Sequence, residues 1–172
     1  MLIYQLLSAL LEYPDQELKD CLAEIETALD DDPDVSDAEG QAIRQFLAWM
    51  GETGLTPLQA AYVQTFDLTP ENSLHLTHHL FGEEKGRGPA LIDLSEYYKS
   101  YGVEVQGNEL PDFLPLMLEF SSRLSDAEAR VFLGDAAKVL NVLAANLERA
   151  GSPYAPLVRI IENRGRLTRL AA

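Results

Sequence analysis

The histidines are the first residues with chemistry to offer. His75, His78 and His79 are the only three in the chain. On a helix, spacings of three and four would set two of them on one face, with Asp67 and Glu83 near in sequence, a set that could hold zinc or iron in a small metal-dependent hydrolase. Against that reading, no His-Glu-x-x-His arrangement is present, no fourth ligand is marked, and Leu74, Leu76, Leu80 and Phe81 interleave as core residues do. Ser73 lies two residues before His75, but the Gly-x-Ser-x-Gly turn that exposes a serine nucleophile is missing. Gly82, Gly86 and Gly88 surround Lys85 and Arg87 in the manner of a phosphate loop, yet neither the Walker spacing nor a preceding strand accompanies them. Asp112 and Glu119 stand seven apart on an expected helix and so would share a face. With no cleft-forming feature beside them, they read as a solvated edge or as acceptors for positive charge on a bound peptide rather than as an acid/base pair.

Composition narrows the partners. The 172 residues include 13 Lys or Arg against 28 Asp or Glu, a formal charge of −15. Nucleic-acid binding rests on cations that neutralise phosphates, and this chain would repel them. The excess is confined to one half: residues 1–84 carry 17 acids and 2 bases, whereas residues 85–172 carry 11 of each. Such a split is either a solvated, solubilising face or a face for a cationic partner. The single Cys21 closes no disulfide and excludes cysteine-based zinc or iron–sulfur sites within one chain. Met1 to Leu11 is strongly apolar but has no basic leader or small-residue cleavage site, and Glu12, Pro14, Asp15 and Glu17 follow at once. It is also shorter than the ~20 apolar residues of a membrane span, so a cytoplasmic protein without membrane insertion is expected.

The elements that must position these residues are helices. Apolar residues recur at three and four, as in Leu18, Cys21, Leu22, Ile25 and Leu29, a stripe that ends at Asp30-Asp31-Asp32-Pro33. Ser36 with Glu39 forms a capping box ahead of Ile43, Phe46, Leu47 and Met50, closed by Gly51 and Gly54. Thr56-Pro57 reads as an N-cap and first helical residue leading to Leu58, Ala61, Tyr62, Thr65 and Phe66. From Asp67 to Pro89 the period is broken by Pro and Gly. It resumes at Leu91 and runs through Tyr101 to a stop at Gly102, then restarts after a Gly107-Asn108 turn at Pro111. A second capping box, Ser125 with Glu128, opens the longest stripe, Val131, Phe132, Val139, Leu140, Leu143 and Leu147, expected to be one central helix. Gly151 stops it, and Pro153 precedes a last helix bearing Leu157, Val158, Ile161 and Leu167. The expectation is one all-α domain over residues 1–172, a helical bundle of about eight to nine helices.

Several segments together resemble a known family: Tyr62 to Asp67 (YVQTFD), Ser73 to Gly82 (SLHLTHHLFG), Arg87-Gly88 with Ala90-Leu91, Tyr98, Gly102, Leu110 to Phe120 (LPDFLPLMLEF), and the opening Leu10-Leu11-x-Tyr13-Pro14. In order and spacing they resemble the NarJ family, the nitrate reductase delta-subunit assembly chaperones, a branch of the group that includes TorD and DmsD. The likeness runs from Leu6 to about Leu143. It implies a TorD/NarJ-like bundle that binds the apo catalytic subunit of a respiratory nitrate reductase and assists insertion of molybdenum cofactor and an iron–sulfur cluster before membrane docking. Recognition of a basic, amphipathic N-terminal client segment by helix-in-groove binding is part of what it implies. Molybdenum cofactor biosynthesis proteins are a further candidate partner, and no catalytic role or cofactor of its own is implied. Carried onto this sequence, the client-binding residues are Tyr62, Phe66, Asp67, His75, His79, Arg87, Tyr98, Asp112, Phe113 and Glu119. The wider group often has His where Phe113 stands, which fits a more apolar groove wall here. Tyr62, Phe66, Leu118 and Phe120 read equally as core. A general helical adaptor is the remaining alternative.

Overall fold

The computed structural model describes residues 1–81, 85–105 and 109–166, and the described residues form eleven α-helices with no strand. They are α1 (Leu2–Leu11), α2 (Gln16–Asp20), α3 (Leu22–Asp30), α4 (Asp37–Glu52), α5 (Leu55–Tyr62), α6 (Leu76–Phe81), α7 (Arg87–Ser100), α8 (Leu114–Ser122), α9 (Asp126–Asp135), α10 (Ala137–Arg149) and α11 (Ala155–Arg166). A π turn, Val63–Asp67, continues α5, and a 3-10 turn, Pro70–Asn72, precedes α6. The all-helical expectation holds, and the larger helix count comes from breaks in two expected stripes. Cys21 interrupts the first, giving α2 and α3. Ala136, at φ −90° and ψ −1°, interrupts the longest, giving α9 and α10. Val131 on the first half is exposed, while Ala129 and Leu133 beside it and Leu140, Leu143, Ala144 and Leu147 on the second half are fully buried, so both halves reach the core.

Both capping boxes form as read: Ser36 with Glu39 opens α4 and Ser125 with Glu128 opens α9. Gly102 and Gly151 stop α7 and α10 at φ +72° and +64°, the left-handed region that favours glycine. Two starts move. α5 begins at Leu55 with Gly54 as its cap, and Pro57 is still within the first turn, where a missing N–H costs no hydrogen bond. α8 begins at Leu114, because Pro111, Asp112 and Phe113 are committed to another segment described below. Asp112 and Glu119 therefore do not share a helix. Gly107-Asn108, Glu83 and Leu167 lie outside the described residues.

The core is assembled mainly from three helix pairings, α1 on α8, α10 on α11 and α11 on α9. α1 buries Ile3, Tyr4, Leu6, Leu7, Leu10 and Leu11, so its apolar character belongs to the interior. No described helix is long and apolar enough to cross a membrane. Arg164 on α11, only 3% exposed, ties the C-terminal helix to the start of α4. Its Nε donates to Glu39 Oε1 at 2.7 Å, and its Nη2 donates to Glu39 Oε2 at 3.0 Å and to the Asp34 carbonyl at 2.7 Å. The guanidinium also lies 5.7 Å from the Tyr4 ring centre. Burial raises the Glu39 pKa, but hydrogen bonds from Arg164 and Ser36 outweigh it and hold the carboxyl below its ordinary value. One carboxylate thus caps α4 and anchors α11.

Next to Arg164, Gly165 lets α11 approach α9 closely. A Cβ there would stand 2.9 Å from both the carbonyl carbon and oxygen of Leu133, and backbone cannot swing aside as a side chain can. Gly165→Ala should cost about 1–3 kcal/mol by forcing the helices apart. Gly88→Ala, on α7 with nothing within 4 Å of the new Cβ, should be neutral or slightly stabilising. Thermal unfolding of the two variants beside the parent checks this, and an unaltered midpoint for Gly165→Ala would contradict it.

Candidate functional site

Asp112 organises the region that the sequence singles out. It sits just before α8 and is 1% exposed. Its Oδ2 accepts from the Thr77 backbone N–H at 3.0 Å and from the Thr77 hydroxyl, while Arg87 Nη2 stands 3.9 Å away. Arg87 Nε in turn donates to the Thr77 hydroxyl oxygen at 3.1 Å. Oδ1 faces His75 Nδ1 at 3.4 Å, and neither atom has a hydrogen bond among the described residues. Backbone bonds reinforce the join: Leu76 N–H to the Asp112 carbonyl at 3.0 Å and Leu114 N–H to the Leu74 carbonyl at 2.9 Å, an isolated antiparallel bridge between His75 and Phe113. The His75 ring lies 5.2 Å from that of Phe113, and the Tyr98 hydroxyl donates to the Pro111 carbonyl at 2.7 Å. Burial, then the Asp112 charge, pushes the Tyr98 pKa upward. His75, Arg87, Tyr98, Asp112 and Phe113, far apart in sequence, therefore meet in one place.

The other expected residues go elsewhere. Tyr62 and Phe66 join Phe46, Trp49 and Tyr154 in a buried aromatic cluster, and the Tyr62 hydroxyl donates to the Leu11 carbonyl at 3.1 Å. They build the core under α5. Asp67 is exposed at the end of the π turn. His79 Nε2 lies 2.7 Å from the Ser73 carbonyl. Glu119 is exposed and pairs with Arg123 at 2.9 Å, beside a polar hollow that also includes Lys99 and Glu104. The histidines do not converge: His75 precedes α6, its two ring nitrogens face Asp112 and Glu109 in turn, and His79 turns to the backbone. Among the described residues no group of three or more His, Cys, Asp or Glu is placed to hold a metal ion.

Above the Asp112 join lies an open, largely apolar groove of about 540 Å³ between α6, α7, α8, α9 and the start of α10. Leu80, Leu94, Met117, Phe132 and Val139 line it, with Thr77 and Asp112 among its lining residues. Leu80 is 62% and Val131 55% exposed, so its edges present large apolar side chains to solvent. Tyr97 stacks on Phe132 with centroids 5.5 Å apart and planes within 2° of parallel. The Tyr97 hydroxyl, hydrogen-bonded to Tyr101 and partly buried, is pushed up to about 12, with Asp135 among the charges that add to the rise. Most of these groove residues escape a reading of motifs. Val131, read as part of the buried stripe, and Leu80, read as core, are both exposed instead.

For Asp112, burial raises the pKa, but the adjacent His75 ring and the hydrogen bonds from the Thr77 hydroxyl and N–H outweigh it, so the folded value lies below the ordinary 3.8. A lowered folded value means that the carboxylate stabilises the fold above pH 3.8 and ceases to do so as pH falls through the folded pKa. Asp112→Asn, which turns an amide toward the Thr77 N–H or the His75 ring, should lose about 1.5–3 kcal/mol at pH 7. Urea unfolding of parent and variant at pH 7 and pH 3.5 should show that gap narrowing in acid; a gap independent of pH would remove the charge from the explanation.

Comparison with known proteins places the chain. The family model described as nitrate reductase delta subunit matches residues 15–159. The nitrate reductase molybdenum cofactor assembly chaperone NarJ of Escherichia coli K12 is 36% identical over 158 residues, 91% of this chain and 66% of that protein. The chain thus spans just under two thirds of that relative's length. A probable chaperone of the same name from Bacillus subtilis 168 is 31% identical over 162 residues, covering 92% of this chain and 85% of the relative. The nitrate reductase-like protein NarX of Mycobacterium tuberculosis H37Rv is 29% identical over 161 residues, only 24% of its own length. With the model match running through both the Asp112 join and the groove, the chain belongs to the nitrate reductase delta subunit family.

Proposed function

We propose that this protein is a system-specific cytoplasmic chaperone for the catalytic subunit of a respiratory nitrate reductase. It holds the apo-subunit, including an N-terminal segment, while molybdenum cofactor and an iron–sulfur cluster are inserted and before membrane docking. Molybdenum cofactor biosynthesis proteins are candidate further partners. The observation that carries the reading is the groove: a preformed apolar trough of about 540 Å³ with apolar edges, on a chain of net charge −15. Family membership supplies the client class, since the relatives are named for nitrate reductase molybdenum cofactor assembly. An amphipathic helix laid in such a trough buries its apolar face and leaves basic residues facing an acidic protein.

The role predicts that deleting the protein leaves the reductase catalytic subunit present but short of molybdenum cofactor. The finished enzyme should not contain it. Its recovery as a stoichiometric part of the active enzyme would contradict the proposal.

At the groove, Leu80→Asp puts a charge where an apolar edge is already solvated in the free protein, so the fold should be unaffected. Affinity for the client's N-terminal peptide should fall about tenfold or more, in line with the loss of a buried leucine contact. Raising salt should mainly slow association, because screening over about 8 Å weakens steering by exposed charges while apolar contacts set the off-rate. Salt-insensitive association would dismiss the steering role of the acidic half.

A further inference from the structure

α7 forms one wall of the groove, yet little of this helix is buried. Of its 14 residues only Tyr98 is fully enclosed, whereas α4, α10 and α11 each bury five or more. Its main packing partner is α6, itself a short helix. What fastens it are contacts at its two ends, both directed at the join before α8. Arg87, its first residue, donates through Nε to the Thr77 hydroxyl oxygen at 3.1 Å and sets Nη2 3.9 Å from Asp112 Oδ2. A cation at a helix N-terminus opposes the helix dipole, so the buried carboxylate is what makes that place favourable. Tyr98, in the last turn, donates its hydroxyl to the Pro111 carbonyl at 2.7 Å and lays its ring 4.6 Å from that of Phe120. Eleven residues, about three turns, separate the two, so both lie on one face of α7. Ala90, Asp93, Leu94 and Tyr97, on the adjoining side, line the groove.

We infer that Arg87 and Tyr98 are positioning residues for client binding, which clamp α7 at both ends so that the groove wall is set before a client arrives. Neither is placed to touch the client. Tyr98 is 1% exposed with its hydroxyl committed to Pro111, and Arg87 is a cation, unsuited to receive a basic segment. Because the clamps share a face, together they fix the roll of α7 about its axis, and with it how far Leu94 and Tyr97 turn into the groove. A groove whose wall is set in only a fraction of molecules binds with its affinity reduced by that fraction. The loss falls on association, because the contacts made once bound are unchanged. Loss of a residue that touches the partner acts on dissociation instead. This assignment rests on the groove being the client site.

Arg87→Lys and Tyr98→Phe test it, since both keep the net charge and so leave long-range steering alone. Lys keeps a charge near Asp112 but lacks the fork that also reaches Thr77, and Phe keeps the ring but not the bond to Pro111. Arg164→Lys, which loosens the tie between α4 and α11 away from the groove, is the control for lost stability at constant charge. On- and off-rates are measured with the N-terminal peptide of the client, and the NMR signals of the Tyr97 ring, stacked on Phe132, report the position of α7 without peptide. Each clamp variant should associate about threefold to tenfold more slowly, with its off-rate within about twofold of the parent's. The Tyr97 signals should shift or broaden in both. Arg164→Lys should leave both readouts as in the parent. Equal slowing in Arg164→Lys would reduce the clamps to general stability and overturn the inference. A faster off-rate at an unchanged on-rate would make Arg87 or Tyr98 a client contact and overturn it too, as would parent kinetics in a variant whose Tyr97 signals had moved. Undiminished binding in Leu80→Asp would overturn the groove reading instead, and the Tyr97 signals would then decide whether the clamps set α7.

Discussion

The buried Asp112 carboxylate is the constraint around which the chain's second half is arranged. An ion at 1% exposure is tolerable only with donors and positive charge beside it, and here Thr77 donates twice to one oxygen while His75 stands 3.4 Å and Arg87 3.9 Å away, all from segments upstream. Satisfying it forces residues 74–77 to run beside residues 112–114, which ends any helix before Leu114 and starts α6 at Leu76. α6 then crosses beside the α7 to α10 helices with its Leu80 edge open. The groove is the space left between helices held apart by a polar join.

A polar join under an apolar groove also separates stability from binding. The residues that hold the fold here are buried and hydrogen-bonded, whereas those that could touch a partner are exposed and weakly committed. Leu80, Val131 and Asp93 can change their neighbours without leaving a buried group unmet. Asp112 cannot, since its loss would orphan the Thr77 amide and change what Arg87 and His75 face. The aromatic cluster of Tyr62, Phe66 and Tyr154 belongs to the first class. So does the Arg164–Glu39 pair, which ties the last helix to the first turn of α4.

In the proposed recognition of a client, charge and shape would serve different steps. The acid excess of residues 1–84 acts at a distance and without regard to orientation, so it favours encounter with any cationic segment. The groove lies mainly on later helices, where total charge is balanced, so contacts made in it would act by fit over short range.

The sequence by itself determined the helical class, both capping boxes, the glycine stops at 102 and 151 and the motif segments, because these depend on residues within a few positions of one another. It also marked His75, Arg87, Tyr98, Asp112 and Phe113, which do come together. It could not tell that they meet around a carboxylate, that Tyr62 and Phe66 turn to the core, or that Glu119 pairs with its neighbour Arg123. Periodicity carried the long stripe through Ala136, since apolar spacing alone does not register that α11 presses on α9 through Gly165. The groove was the least legible feature. Its walls come from five helices whose individual patterns look like ordinary core stripes, and which of those residues remain uncovered is set by helix packing, a property of pairs of elements that no local pattern contains.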